Sequence, residues 1–132
     1  MALYDAPAMV KTLAHFGLFC KSVKTLGTEK HHAILNEAAK LKFIGIYALT
    51  EFGHGSNVRG IETTATFDPD TDEFIINSPT ETAAKFWIAS LAKCGEISVV
   101  YAQLITQGVN HGVHAFLFRI RDHDTHLPLP GI

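Results

Sequence analysis

With 132 residues, 47% of them hydrophobic and 18% charged, the chain is long enough for one ordinary domain or parts of two, and its composition excludes wholesale disorder. A net charge of −2 argues against a nucleic-acid binder, which would carry a basic patch. No apolar run is long enough to span a membrane, and the N-terminus carries no charged-then-apolar signal.

The chain divides near residue 41. Before it, Met9, Leu13, Phe16, Cys20 and Val23 recur at three- and four-residue steps and predict one apolar stripe on a helix. Gly27 is expected to close that helix in the left-handed conformation, and Thr28 to cap the next one. The second helix is expected over residues 29–40, burying Ile34, Leu35, Ala38 and Ala39. After residue 42 the pattern turns to strands: Phe43–Leu49, Ile61–Phe67, a turn at Asp68-Pro69-Asp70, a return strand Glu73–Asn77 and a break at Ser78-Pro79. Ala84–Ser90, Ile97–Ile105 and Val113–Arg121 complete the expected strands. The fold class read from this order is α+β, two N-terminal helices followed by an antiparallel sheet closed as a small barrel or sandwich.

Cys20 and Cys94 form no C-x-x-C pair and fit a reducing compartment better than a disulfide framework or a zinc site. The eight histidines include the adjacent pair His31 and His32, and His111 and His114 further on, but no H-E-x-x-H, so no metal site is expected.

Two stretches stand out for chemistry. Tyr47-Ala48-Leu49-Thr50-Glu51-Phe52-Gly53-His54-Gly55-Ser56-Asn57 begins on an apolar strand and ends in a loop with two glycines, which lets backbone approach a ligand and turn N–H groups outward. The same residues read equally as a strand-to-strand loop with glycines for turning; no helix pattern follows, so this is not a dinucleotide fingerprint. Lys85-Phe86-Trp87-Ile88-Ala89-Ser90 holds the one tryptophan. A tryptophan on a strand is more often core than cofactor contact; the alternative is that it lies against a planar ring.

Together, Tyr-Ala-Leu-Thr-Glu-x-Gly-x-Gly-Ser, a Thr-rich strand and Lys-x-Trp-Ile resemble the acyl-CoA dehydrogenase and oxidase superfamily. Leu26-Gly27-Thr28-Glu29-Lys30-His31, Gly60-Ile61-Glu62-Thr63-Thr64-Ala65-Thr66, Phe74-Ile75-Ile76-Asn77-Ser78-Pro79-Thr80, Ala102-Gln103-Leu104 and Gly112-Val113-His114-Ala115-Phe116 narrow the resemblance to the peroxisomal acyl-CoA oxidases, as does Pro128-Leu129-Pro130-Gly131. The resemblance implies that residues 1–41 are the end of an N-terminal helical domain and residues 42–132 an incomplete middle β domain that binds flavin. It implies FAD as cofactor, acyl-CoA as substrate and a homodimer for the intact enzyme. Localisation in the peroxisome is implied by the family alone, since Pro130-Gly131-Ile132 is not a targeting tripeptide.

Residue by residue, the resemblance puts Thr50 at the flavin ring, Tyr47 in the same motif, and Gly55 and Ser56 where cofactor and acyl-CoA meet, with Ser56 also touching substrate. Trp87 falls beside the isoalloxazine and the backbone N–H of Ala89 near flavin N5. Ala89 replaces a common glycine, and Ser90 replaces a commoner Gly or Asn; the donor at residue 89 survives the change. The implied reaction converts acyl-CoA to the trans-2-enoyl thioester, with flavin reoxidised by oxygen to give peroxide. The family's catalytic base is a Glu in a later helical domain, beyond this chain. Glu51 and Glu62 are therefore not expected to be catalytic, and Glu51 is read as a structural or loop-bonding residue. The alternative is a non-catalytic chain that keeps this region to bind flavin, acyl-CoA or a partner.

Overall fold

The structure, a computed structural model, describes residues 5–132. Its first helical run begins where the Asp5 carboxylate accepts the Ala8 N–H at 2.9 Å and Pro7 occupies the first turn, where a missing N–H costs nothing. The run comprises α1 (Ala6–Thr12), a π-helical stretch (Leu13–Cys20) and α2 (Lys21–Leu26). The π winding overturns the expected stripe. Of its five members only Val23 is buried, whereas Leu13 and Phe16 are exposed and Ala14, His15 and Phe19 are buried instead. Each π turn holds more residues than an α turn, so an inward register counted in threes and fours slips.

Gly27 ends the run, but with φ −77° and ψ 168° it is extended, not left-handed. Glycine is needed there for space: a Cβ would run into the Val23 carbonyl oxygen, which accepts the Gly27 N–H at 2.9 Å. Thr28 starts the next element, and its backbone N–H donates to His31 Nδ1 at 2.9 Å. The expected helix over 29–40 is a 3₁₀ turn, Glu29–His31, followed by α3 (His32–Ala39). Ala38 is buried, Ile34 and Leu35 are half-buried, and Ala39 is exposed.

Five strands follow: β1 (Ile44–Ala48), β2 (Thr64–Asp68), β3 (Glu73–Asn77), β4 (Gly95–Thr106) and β5 (Val109–Arg119). The sheet order is β1–β4–β2–β3, with β5 also paired to β4. The α+β class holds; the purely antiparallel sheet does not. β2 and β3 are antiparallel, from Thr64 opposite Asn77 to Asp68 opposite Glu73, but β2 runs parallel to β4, Thr64 opposite Gln103 and Thr66 opposite Ile105. Parallel neighbours need a long connection, and residues 78–94 supply it. The strand expected at Ala84–Ser90 lies in that connection and does not form. Trp87 and Ser90 have φ of 60° and 68°, which a strand cannot contain, and only Lys85 makes an isolated bridge, to Glu51. β4 and β5 meet at Gln107-Gly108, whose φ values of 50° and 76° suit a two-residue hairpin turn.

By internal contacts the chain forms two compact units. One comprises the chain up to Tyr47, Ala89–Val99 and Leu117–Ile132; the other comprises Ala48–Ile88 and Val100–Phe116. The first packs around aromatic rings. Phe19 and Phe43 meet edge-on at 5.9 Å, and His15 stacks on Phe19 at 6.0 Å. His15 is buried, its Nδ1 accepting the Gly45 N–H at 2.9 Å and its Nε2 lying 3.0 Å from the Ala38 carbonyl. That pairing fixes the proton on Nε2 and ties the π-helical stretch to α3 and β1. The second unit buries Ala48, Ile61, Ala65, Ala83 and Ala102 together with two polar residues, Glu51 and Thr63. No helix among the described residues is long and apolar enough to cross a membrane.

Candidate functional site

Parts of the two stretches singled out in the sequence, residues 50–52 and 85–86, pair within the second unit. Glu51 bridges antiparallel to Lys85, the Phe86 N–H donates to the Thr50 carbonyl at 3.0 Å, and the Phe52 N–H donates to the Ala84 carbonyl at 2.9 Å. The Gly53 N–H donates to the Thr82 carbonyl at 2.9 Å, so it does not point outward. This short pairing puts Thr50 and Trp87 on adjoining stretches of backbone. Gly53 is required by the fold, because a Cβ would come 2.8 Å from the Thr82 side chain.

Gly55 differs. A Cβ there would meet nothing within 4 Å, and its φ is not left-handed. Neither packing nor backbone conformation of this chain calls for glycine at that position. Gly55 and Ser56 are exposed, and their N–H groups make no hydrogen bond among the described residues. The half-buried Thr50 hydroxyl likewise has no partner among the described residues. Each of these groups, the Thr50 hydroxyl and the Gly55 and Ser56 amides, is a donor left open by the fold and suited to carbonyl and ring-nitrogen acceptors.

Trp87 is not core. It is 87% exposed, with φ 60°. A bulky residue in the left-handed region is an outlier that costs on the order of 1–3 kcal/mol and persists only where neighbours impose it. Phe86 lies 6.3 Å from Trp87, ring to ring, and packs edge-on against Phe52 at 5.3 Å. All three aromatics are exposed. Of the remaining expected contacts, Tyr47 and Ala89 belong to the first unit, where both are half-buried.

Around Glu51 lies a polar network that the sequence did not disclose. Glu51 is 1% exposed, and both its carboxylate oxygens are filled. Oε1 accepts the Thr63 N–H at 2.9 Å, the Thr63 hydroxyl at 2.6 Å and the Lys85 ammonium at 3.0 Å. Oε2 accepts the Glu62 N–H at 2.8 Å and faces His54 Nδ1 at 3.1 Å. Burial alone would raise this carboxyl, but the Thr63 hydroxyl, the two amides and Lys85 outweigh it and hold it at about 2. Lys85 is itself pushed down by burial, with Glu51 opposing the shift. Its ammonium also donates to the Leu49 carbonyl at 3.2 Å and the Tyr101 carbonyl at 2.8 Å. Glu62 accepts the hydroxyls of Thr80 and Thr82, which lower its carboxyl. Sequence reading placed Glu51 in a loop-bonding role, as found. It missed Thr63 and Lys85 as the partners, because a contact between residues 51 and 85 leaves no periodic trace.

No protein-family model matches the chain. Full-length sequences do. The chain is 50% identical over 129 residues to peroxisomal acyl-coenzyme A oxidase 1 of Arabidopsis thaliana, covering 97% of this chain and 19% of that protein. Its fold superposes on an acyl-CoA oxidase of tomato (Lycopersicon esculentum) with a TM-score of 0.88 and 51% identity, over 92% of this chain and 19% of the other. By sequence and fold, the chain belongs to the acyl-CoA oxidase family. It spans about a fifth of the length of the curated relatives it matches. A third relative, acyl-CoA oxidase-1 of Caenorhabditis elegans complexed with FAD and ATP, matches with a TM-score of 0.86 and 39% identity over 89% of this chain and 18% of that one.

Proposed function

We propose that this chain forms one wall of an FAD site in an acyl-CoA oxidase, with residues 1–41 the end of a helical domain and residues 42–132 the flavin-binding β domain. The observation that supports the reading is the backbone pairing of residues 50–53 with 82–86, which brings the stretch carrying Thr50 against the one that leads into the exposed Trp87. Thr50 would donate to a flavin carbonyl, Gly55 and Ser56 would offer amides where cofactor and acyl-CoA meet, and Ser56 would also reach substrate. Trp87 presents a broad apolar face for stacking against a planar ring. Tyr47 and the Ala89 amide are assigned to the same cofactor by family resemblance.

FAD, when bound, supplies the two-electron chemistry: acyl-CoA loses two hydrogens to become trans-2-enoyl-CoA, and oxygen takes them up as hydrogen peroxide. The residues here would orient and stack; the resemblance gives none of them the role of taking the α proton. Glu51 cannot serve as that base, because its charge is committed to five donors and its carboxyl titrates at about 2. The base belongs to a part of the enzyme outside these residues. The same fact favours a second reading, a chain that binds flavin or acyl-CoA without turnover. In either case the peroxisome is the expected compartment, as for the Arabidopsis relative named above.

Calorimetric titration of the chain with FAD tests the reading. Saturable binding that Trp87→Ala and Thr50→Ala each weaken about tenfold, the worth of one well-made contact of 1.4 kcal/mol, is expected. Absence of heat with FAD would remove the flavin site. Peroxide production from acyl-CoA and FAD by the chain alone would remove the assignment of the base elsewhere.

A further inference from the structure

Trp87 poses a physical problem that the flavin reading leaves open. Its φ of 60° is unfavourable, and the residue is 87% exposed with one ring contact, to the neighbouring Phe86, so burial of the indole offsets little of the strain. The backbone just before it is anchored instead. The Phe86 N–H is fixed to the Thr50 carbonyl at 3.0 Å. One residue earlier, the Lys85 side chain is 11% exposed, and its ammonium has three partners: the Leu49 carbonyl, Glu51 Oε1 and the Tyr101 carbonyl. Burying a lysine is costly, and a lysine is retained inside only where its three donors are filled.

We propose that Lys85 is a positioning residue: anchored on Glu51 and on the Leu49 and Tyr101 carbonyls, it holds Trp87 in the left-handed conformation as the surface that a planar flavin ring stacks on. This rests on the flavin-site reading and deepens it. The anchor points explain the choice of residue. Leu49 and Glu51 flank Thr50, so one ammonium binds the chain on both sides of the hydroxyl-bearing residue while fixing the stretch that leads into Trp87. A neutral amide side chain carries two N–H donors, too few for the three acceptors that the ammonium fills. His54 does not compete for Oε1, since its Nδ1 faces Oε2 and its Nε2 lies 3.8 Å from Glu62. Lys85 shares Oε1 with the Thr63 N–H and hydroxyl, and only its ammonium extends from that oxygen to the Leu49 and Tyr101 carbonyls.

Trp87 is the one tryptophan of the chain, so its emission reports this residue alone. Fluorescence anisotropy and acrylamide quenching of Trp87 are measured without ligand, then its emission is followed during FAD titration, in the chain and in Lys85→Met. The expected result is lower anisotropy and faster quenching in Lys85→Met, with the Kd for FAD raised about tenfold or more. The double variant Glu51→Gln/Lys85→Met leaves no unpaired buried charge and is expected to show the same release, which covers the case in which the single variant does not fold. If Lys85 only stabilises the fold, melting temperature falls while Trp87 anisotropy and FAD affinity below the melt stay within twofold; that overturns the proposal. If the unaltered chain binds no FAD, the flavin reading fails, and the ligand-free anisotropy still decides whether Lys85 holds Trp87.

Discussion

Glu51 keeps a full negative charge while almost wholly buried, and its contribution to stability has a definite pH window. The folded-state value of about 2 lies below the ordinary 4.5, so the folded chain releases this proton more readily than the unfolded one. The stabilisation is complete above pH 4.5 and is lost as pH falls towards 2. Its size is on the order of 3 kcal/mol, a large share of a small domain's stability. Melting followed by circular dichroism should show a steep fall in Tm across that window, and a shallower one in Glu51→Gln. Equal slopes would mean that the network carries little of the acid sensitivity. The sequence motif marked the position of Glu51 and argued against a catalytic role. It could not show that Thr63 and Lys85 fill the carboxylate, because those partners come from the far side of a loop and of a long connection. Likewise, exposure of Trp87 ran against the residue's general tendency to be buried; the left-handed φ that turns it outward has no signature in a Lys-x-Trp-Ile string.

Elements built on local signals were legible: β3 falls at Glu73–Asn77 as read, and Asp68-Pro69-Asp70 turns the chain before it, with Asp68 accepting the Asp70 N–H at 3.0 Å. Elements set by tertiary contact were not. The π-helical stretch is one of these, since nothing in Leu13–Cys20 forbids an ordinary α winding. What selects the wider winding is visible only in the fold: it brings His15 and Phe19 inward together, and His15 then satisfies two buried backbone groups on separate elements. His15→Leu keeps comparable bulk but orphans the Gly45 N–H and the Ala38 carbonyl. Each orphaned group costs about 1–3 kcal/mol, so a loss of roughly 2–6 kcal/mol is expected in urea unfolding. A neutral substitution would show that water replaces the imidazole at both groups. The parallel β2–β4 pairing escaped for a related reason: strand direction depends on where a long connection returns, and residues 78–94 carry no regular strand or helix to reveal it.

At the scale of the molecule, the family was the most legible feature, carried by motifs spread over nearly the whole chain. Large apolar side chains are exposed in groups. Val10, Leu13, Phe16 and Leu18 lie on the first helical run, Phe74 and Ile75 on β3, and Phe52, Phe86 and Trp87 at the candidate site. Scattered single residues of this kind are ordinary, but clusters are not, and water-exposed apolar clusters drive association. The core is also modest for a chain of 132 residues, since several of its largest fully buried side chains are polar: His15, Glu51, Thr63 and Ser98. The isolated chain is therefore expected to self-associate at micromolar concentration. Light scattering coupled to size exclusion should give a mass above one chain that rises with loading. Replacing Leu13 and Phe16 by serine removes exposed apolar surface without touching the buried Ala14, His15 and Phe19, so it should shift the distribution towards monomer and leave the melting transition in place. A monodisperse, cooperatively melting monomer of the unaltered chain would show instead that these clusters are too dispersed to pair, and that the two compact units are stable without a covering partner.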